Sequence, residues 1–299
     1  VSTAHTLSTP CGPVSYSVSG PTEAGGTEVG PGRDLVLVHG WCCDSSTMAP
    51  VRERLVRRHR VLSIDLRGHG ASLEWDDDGA AGAGWGRRLD QDQVLPAGLS
   101  AVTIDHYAAD LRQACHDAGL RAPVVIGHSM GALVAVAAAA GPRAGHSPGG
   151  LVLLDPAPLT SARAAGFWLR AAEQSARDLD GRWRRSFAEG MFPEHGAAGR
   201  YRDHARVVDL MAGTPAAVAA GAARAMARFD GLGGLRQLSV PVLRIDAEEP
   251  EAVLDEIPQH VSWTDGRVVG AGHFAQLEVP EQVEAMVARW LTVTGLQGY

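Results

Sequence analysis

Ala122-Pro123-Val124-Val125-Ile126, a short apolar run, leads directly into Gly127-His128-Ser129-Met130-Gly131, and an alanine-rich stretch that reads as a helix follows. A strand, a G-x-S-x-G turn and a helix in that order give the pentapeptide its meaning. The turn is tight enough to require small residues on both sides of the serine. It strains the backbone at Ser129 and lifts the hydroxyl above the sheet edge, which marks a nucleophile rather than a structural serine. The pentapeptide alone is a weak signal, and parts elsewhere in the chain strengthen it.

Working outward, apolar runs alternate with helical stretches. Thr6 to Ser19 reads as a β-hairpin turning at Gly12-Pro13. Leu35-Val36-Leu37-Val38, ending in His39-Gly40, suits a buried parallel strand. A helix is expected from Met48 to Val56, a strand over Val61-Leu62-Ser63-Ile64 and a helix from Tyr107 to Gly119. Further strands are expected at Leu151-Leu154, Val240-Ile245 and Arg267-Val268-Val269, with a closing helix from Pro280 to Leu291. The alternation predicts an α/β fold with a doubly wound, mostly parallel sheet. Such sheets bind ligands at the carboxyl ends of their strands. His39, Asp65, Ser129, Asp155 and His273 all fall just after strands, so they are expected on one face.

Two segments break the alternation. Residues 159–234 read as several helices with no strand, which predicts a helical cap inserted into a core of residues 1–158 and 235–299. Residues 72–102 carry Asp76-Asp77-Asp78 and a Gly/Ala run, and read as a lid element or a surface loop.

The 299 residues carry a net charge of −7, which gives no reason to expect a nucleic acid or anionic membrane as partner. The partner expected is a small-molecule substrate. Every Lys/Arg position is arginine, so lysine chemistry is excluded. Cys11, Cys42, Cys43 and Cys115 match no zinc spacing, and neither metal nor cofactor is expected. Reduced thiols, no charged-then-apolar leader and no apolar run of membrane-spanning length predict a cytoplasmic protein.

A serine hydroxyl needs a base. His273, in Gly270-Ala271-Gly272-His273-Phe274, is the candidate, because small residues before it let the loop fold over the sheet edge. An acid should orient that imidazole. Asp155, directly after its strand, is the first choice, with Glu249, Asp246 and Glu248 of the following strand's loop as alternatives. The backbone N–H groups of Met130 and Trp41 are the candidate oxyanion donors. The Trp41 indole either meets substrate or lies under the cap. Phe167 and Trp168 are candidate pocket residues among the cap's large apolar side chains. Asp65 and Arg67 are expected to pair with each other and brace their loop. Cys43 is expected to be a buried inert thiol. Arg182, Arg184 and Arg185 read as a solvated face.

His39-Gly40, Asp65-x-Arg67-Gly68-x-Gly70, Gly127-x-Ser129-x-Gly131 and Gly272-His273-Phe274, in that order, resemble the α/β-hydrolase superfamily. The resemblance spans nearly the whole core and implies a Ser–His–acid site at Ser129 and His273. It also touches a branch of cofactor-free hydroxyquinolone dioxygenases around Gly40-Trp41-Cys42 and at the strand before Asp155. There a histidine usually stands in the place of Cys43 and the elbow is less regular, so both departures argue against oxygenase chemistry. Fold does not fix function. The reading that follows is a serine hydrolase of a small or medium apolar ester, lactone or related acyl compound. The alternatives are an oxygenase, lyase or cyclase using His273 as base, or a non-catalytic receptor.

Overall fold

The apolar runs at Leu35, Val61, Val124 and Leu151 become the four central strands of an eight-stranded sheet. In a computed structural model, the residues described are 2–9, 12–21, 32–73, 102–140, 147–159, 162–192, 201–247 and 257–297. The strands are β1 (Thr3–Thr9), β2 (Gly12–Ser19), β3 (Gly32–Val38), β4 (His59–Ile64), β5 (Val124–His128), β6 (Gly150–Leu154), β7 (Val242–Asp246) and β8 (Trp263–Arg267). They lie in the order β1-β2-β4-β3-β5-β6-β7-β8. β1 and β2 form the expected hairpin and β2 joins β4 antiparallel, while every pairing from β4 to β8 is parallel.

The helices are α1 (Ala49–Leu55), α2 (Ile104–Asp117), α3 (Met130–Ala140), α4 (Ala162–Arg177), α5 (Arg182–Glu189), α6 (Tyr201–Gly213), α7 (Ala216–Arg228), α8 (Gly231–Arg236), α9 (Ala275–Glu278) and α10 (Pro280–Val293). The period-2 geometry of strands sorts the apolar side chains into two layers. Val36, Val38, Val125, Leu151 and Leu153 face α2 and α3, in a core that runs on into α4, α6 and α7. Leu35, Leu37, Val124, Ile126, Val152 and Leu154 face α1 and α10. Helix α3 is buried along almost its whole length, which its alanines allow. Helices α4 to α8 lie between β6 and β7, where the sequence shows no strand.

Strand β3 has β4 on one side and β5 on the other. The winding reverses there, and a crevice opens at the carboxyl ends of β3 and β5. The His39 loop and Ser129 leave the sheet at those two ends.

Three expectations need correction. The last strand is Trp263–Arg267, not residues 267–269; β8 is an edge strand with mostly exposed residues, so an apolar run does not mark it. Asp65 and Arg67 do not pair. Asp65 accepts the N–H groups of Ser45 (2.7 Å) and Ala71 (2.9 Å), while Arg67 forks onto Asp110 at 2.6 and 2.5 Å. Arg184 is not solvated. It is buried at the start of α5, bonded to the Asp178 carboxylate at 3.0 Å and to the Ala212 carbonyl at 3.0 Å. Arg182 and Arg185 are exposed as expected. Of residues 72–102, positions 74–101 lie outside the described residues.

A buried guanidinium left without its carboxylate is strongly destabilising. Asp110→Ala should therefore lower unfolding stability by about 3–5 kcal/mol in urea titrations. Arg182→Ala, at an exposed pair, should change it by less than about 0.5 kcal/mol. Equal effects would show that the Arg67–Asp110 pair does not brace this loop.

Candidate active site

Ser129 sits between β5 and α3 with φ +53°, in the left-handed region. Its N–H donates to the Leu154 carbonyl at 3.0 Å, which ties the turn to β6. A Cβ on Gly127 would stand 2.2 Å from the Gly131 carbonyl oxygen, and one on Gly131 would stand 2.4 Å from the Val38 carbonyl oxygen. The pentapeptide's glycines are thus required by contact. Met130 opens α3, so its N–H is among the first-turn donors that have no intrahelical acceptor.

The loop after β3 is held from beneath. The Leu66 N–H donates to His39 Nε2 at 3.0 Å, so the proton of a neutral His39 lies on Nδ1 and points to the Gly40 carbonyl at 2.8 Å. Burial pushes the His39 pKa down in spite of nearby Asp65, which keeps the ring neutral. The Cys43 N–H also reaches the Gly40 carbonyl, at 3.3 Å. In a planar trans peptide the Trp41 N–H points opposite to that doubly held carbonyl. Cys42, next in line, has φ +55°.

The Trp41 indole is buried. Its Nε1–H donates to the Ala219 carbonyl at 2.9 Å, and its ring meets Trp168 and Phe187 edge-on at 5.7 and 5.5 Å. It therefore lies under the helices between β6 and β7. Trp168 is buried as well, whereas Phe167 is 39% exposed. A cavity of about 310 Å³ is lined by Leu159, Ala164, Trp168, Met226, Phe229 and Asp230, among others. Its lining begins at Pro158, three residues beyond Asp155, and it shares Trp168 with the Trp41 cluster.

His273 Nδ1 lies 2.6 Å from Asp155 Oδ2. Asp155 has φ +40°. Its N–H donates to the Ile245 carbonyl at 2.7 Å, and its Oδ1 accepts the Ala247 N–H at 2.9 Å. Burial pushes the carboxyl up, but the hydrogen bond and charge of His273, joined by Ala247, outweigh it and hold Asp155 below its ordinary range. Asp246 faces Arg244 instead, at 2.9 Å, and burial leaves its carboxyl raised. Glu248 and Glu249 lie outside the described residues.

Two contacts of this site carry no sequence signal. The His273 N–H donates to the Met191 carbonyl at 3.1 Å, and His128 Nε2 lies 2.8 Å from the His273 carbonyl. Among the described residues, four non-glycine positions have positive φ, and Cys42, Ser129 and Asp155 are three of them. Such strain gathers at functional sites. Cys42 and Cys43 are buried, and burial drives both thiols up, so neither is an activated nucleophile. Among the described residues, no His/Cys/Asp/Glu group is arranged to hold a metal ion, and no helix is long and apolar enough to cross a membrane.

The chain is similar over its length to the structure of a thermophilic esterase from Thermogutta terrifontis. Identity is 27%, the TM-score is 0.72, and 96% of each chain is covered. A non-heme haloperoxidase of Rhodococcus erythropolis is 34% identical over 116 residues, 37% of this chain and 34% of that protein. The pimeloyl-[acyl-carrier protein] methyl ester esterase of Aliivibrio salmonicida is 44% identical over 45 residues, 15% of this chain and 17% of that one. The similarity to these two curated relatives thus spans 34% and 17% of their length. The family model for the alpha/beta hydrolase family matches residues 35–286, and the chain belongs to that family.

Proposed function

We propose that this chain is a serine hydrolase that cleaves an ester, lactone or related acyl bond of a small to medium apolar compound through an acyl-enzyme. The observation that carries the reading is the 2.6 Å contact between His273 Nδ1 and Asp155, set beside a serine in a left-handed elbow. A carboxylate on Nδ1 keeps the proton there and leaves the Nε2 lone pair free to act as base. In this reading His273 Nε2 takes the Ser129 hydroxyl proton as Oγ attacks the carbonyl carbon. The N–H groups of Met130 and Trp41 receive the developing oxyanion, each such donor being worth about 3–4 kcal/mol. The proton passes to the leaving oxygen. Water, deprotonated by His273, then cleaves the acyl-enzyme and frees the acid.

The esterase likeness at 27% identity supports ester-type chemistry, and the aromatic cluster of Trp41, Trp168 and Phe187 supports an apolar substrate. Trp41 contributes its backbone to the oxyanion and its indole to the wall behind Trp168. Phe167 stands at the outer edge, where it meets Trp168 at 5.1 Å. The substrate is the partner this reading requires, and the chemistry needs no cofactor. We place the enzyme in the cytoplasm.

Wild type should take up one fluorophosphonate equivalent by intact mass. Ser129→Ala should take up none and should lose at least about 10³-fold in ester turnover while still folding. Oxygen consumption or full turnover by Ser129→Ala would replace this reading with base chemistry at His273.

Asp155→Asn should reduce kcat by up to about 10⁴-fold, because Asn can fix the wrong imidazole tautomer. The same variant tests the carboxylate's contribution to stability. A lowered folded pKa stabilises fully above the unfolded value of about 3.9 and fades as pH falls through the folded value. The stability gap between wild type and Asp155→Asn should be constant near neutral pH and should shrink below about pH 4. A gap independent of pH in urea titrations would contradict a depressed Asp155 pKa.

A further inference from the structure

We propose that His128, the residue before the serine, is a positioning residue that fixes the His273 backbone, and hence the depth at which the base meets Ser129. The proposal rests on the serine-hydrolase reading for its catalytic consequence and on geometry for its contact.

His128 is 1% exposed and ends β5. Its Nε2 lies 2.8 Å from the His273 carbonyl oxygen. A carbonyl oxygen only accepts, so Nε2 carries the proton and Nδ1 of the neutral ring holds a lone pair. That assignment agrees with the other side of the ring: Nδ1 is buried, has no hydrogen-bond partner and faces the loop after β3. A Cβ on Gly40 would stand 2.9 Å from Nδ1 and 3.2 Å from Ser129 Cβ. The ring also lies 4.7 Å from the His273 ring and 5.3 Å from Phe274. One imidazole thus touches the elbow, the loop of the proposed oxyanion donors and the base loop.

Each of those loops has its own tether to the sheet, but His128 connects all three. Asp155 orients the His273 ring through Nδ1, and Met191 receives the His273 N–H. Asp155 reaches only the side chain, while Met191 and the Glu278 carboxylate, which accepts the Gly272 N–H at 3.1 Å, hold the loop by its N–H groups. The His128 bond adds the carbonyl of the same residue, and of these holds it is the one that comes from the strand leading into Ser129. Charge points the same way. Burial, with the charge His273 can carry, pushes the His128 pKa down to about 3, so the ring stays neutral beside the imidazolium formed during acylation. A protonated neighbour would oppose that imidazolium.

Two variants separate a positioning role from space filling. His128→Phe keeps a flat ring and removes the donor, and His128→Gln restores an N–H at similar reach. His128→Phe should slow fluorophosphonate labelling of Ser129 and lower kcat about 10- to 100-fold with KM little changed, as expected for a displaced catalytic group. His128→Gln should recover most of that loss. Phe at the wild-type rate, or Gln no better than Phe among folded proteins, would overturn the proposal.

Imidazole ¹⁵N spectra of wild type give an answer that needs no variant to fold. They should show His128 as the neutral Nε2–H tautomer from pH 5 to 8, and a charged ring or the Nδ1–H tautomer there would refute the contact. If wild type takes no label, the acyl-enzyme reading fails by itself, and the spectrum alone then decides whether His128 holds the His273 carbonyl.

Discussion

The elbow is pressed against the end of β3, where the backbone of Gly131 leaves no room for a side-chain carbon beside the Val38 and His39 carbonyls. That contact brings α3 down onto the sheet and sets Ser129 over the crevice between β3 and β5. Ser129 itself lies in the left-handed region. Cys42 and Asp155 adopt similar conformations in the two loops on either side. Positions of this kind cost about 1–3 kcal/mol each, so a folded chain keeps them only where its surroundings leave no alternative. The surroundings here are the two buried layers of the sheet, whose side chains are almost wholly removed from water.

The segment between β6 and β7 is bonded to the loops around this crevice. The Ala219 carbonyl in α7 receives the Trp41 indole N–H, and the Thr214 hydroxyl reaches the Cys42 carbonyl at 3.1 Å. Arg206 in α6 bonds the Ser46 hydroxyl at 2.6 Å, and the Met191 carbonyl receives the His273 N–H. These four bonds fall on the loop after β3 and its continuation, and on the base loop. The segment between β6 and β7 therefore bears on the geometry of both loops. A substitution on the buried side of α7 would be felt at the Trp41 loop through the indole.

How far the sequence alone reaches follows from the range of each interaction. The elbow, the His39-Gly40 turn and the Gly272-His273 loop are local patterns at the ends of apolar runs, so both the strands and the site face could be placed. Asp155 stood out from its alternatives because it directly follows β6. Its bond to His273 depends on two distant loops meeting, which one sequence cannot show. The Arg67–Asp110 fork was misassigned because an aspartate two residues away looks like the natural partner, while the real one is on α2. Strand β8 lies a few residues earlier than expected because Trp263-Thr264-Asp265-Gly266-Arg267 is an edge strand with mostly exposed residues and no apolar run. His128 was invisible as anything more than the variable residue of the pentapeptide.

Environment, not residue type, sorts the histidines at this end of the sheet into different roles. His39 and His69 are buried against main-chain groups, and burial pushes both down, His69 to about 3. Each serves as a neutral brace whose tautomer its neighbours choose. His128 is of the same kind, with its one donor aimed at a carbonyl. His273 differs in two respects: its side chain is 22% exposed, and its partner is a carboxylate held ionised by its own hydrogen bonds. A carboxylate stabilises an imidazolium, whereas a main-chain carbonyl mainly fixes a tautomer. Of these four rings, His273 is thus the one paired with a carboxylate, and the buried neutral rings beside it add no competing charge.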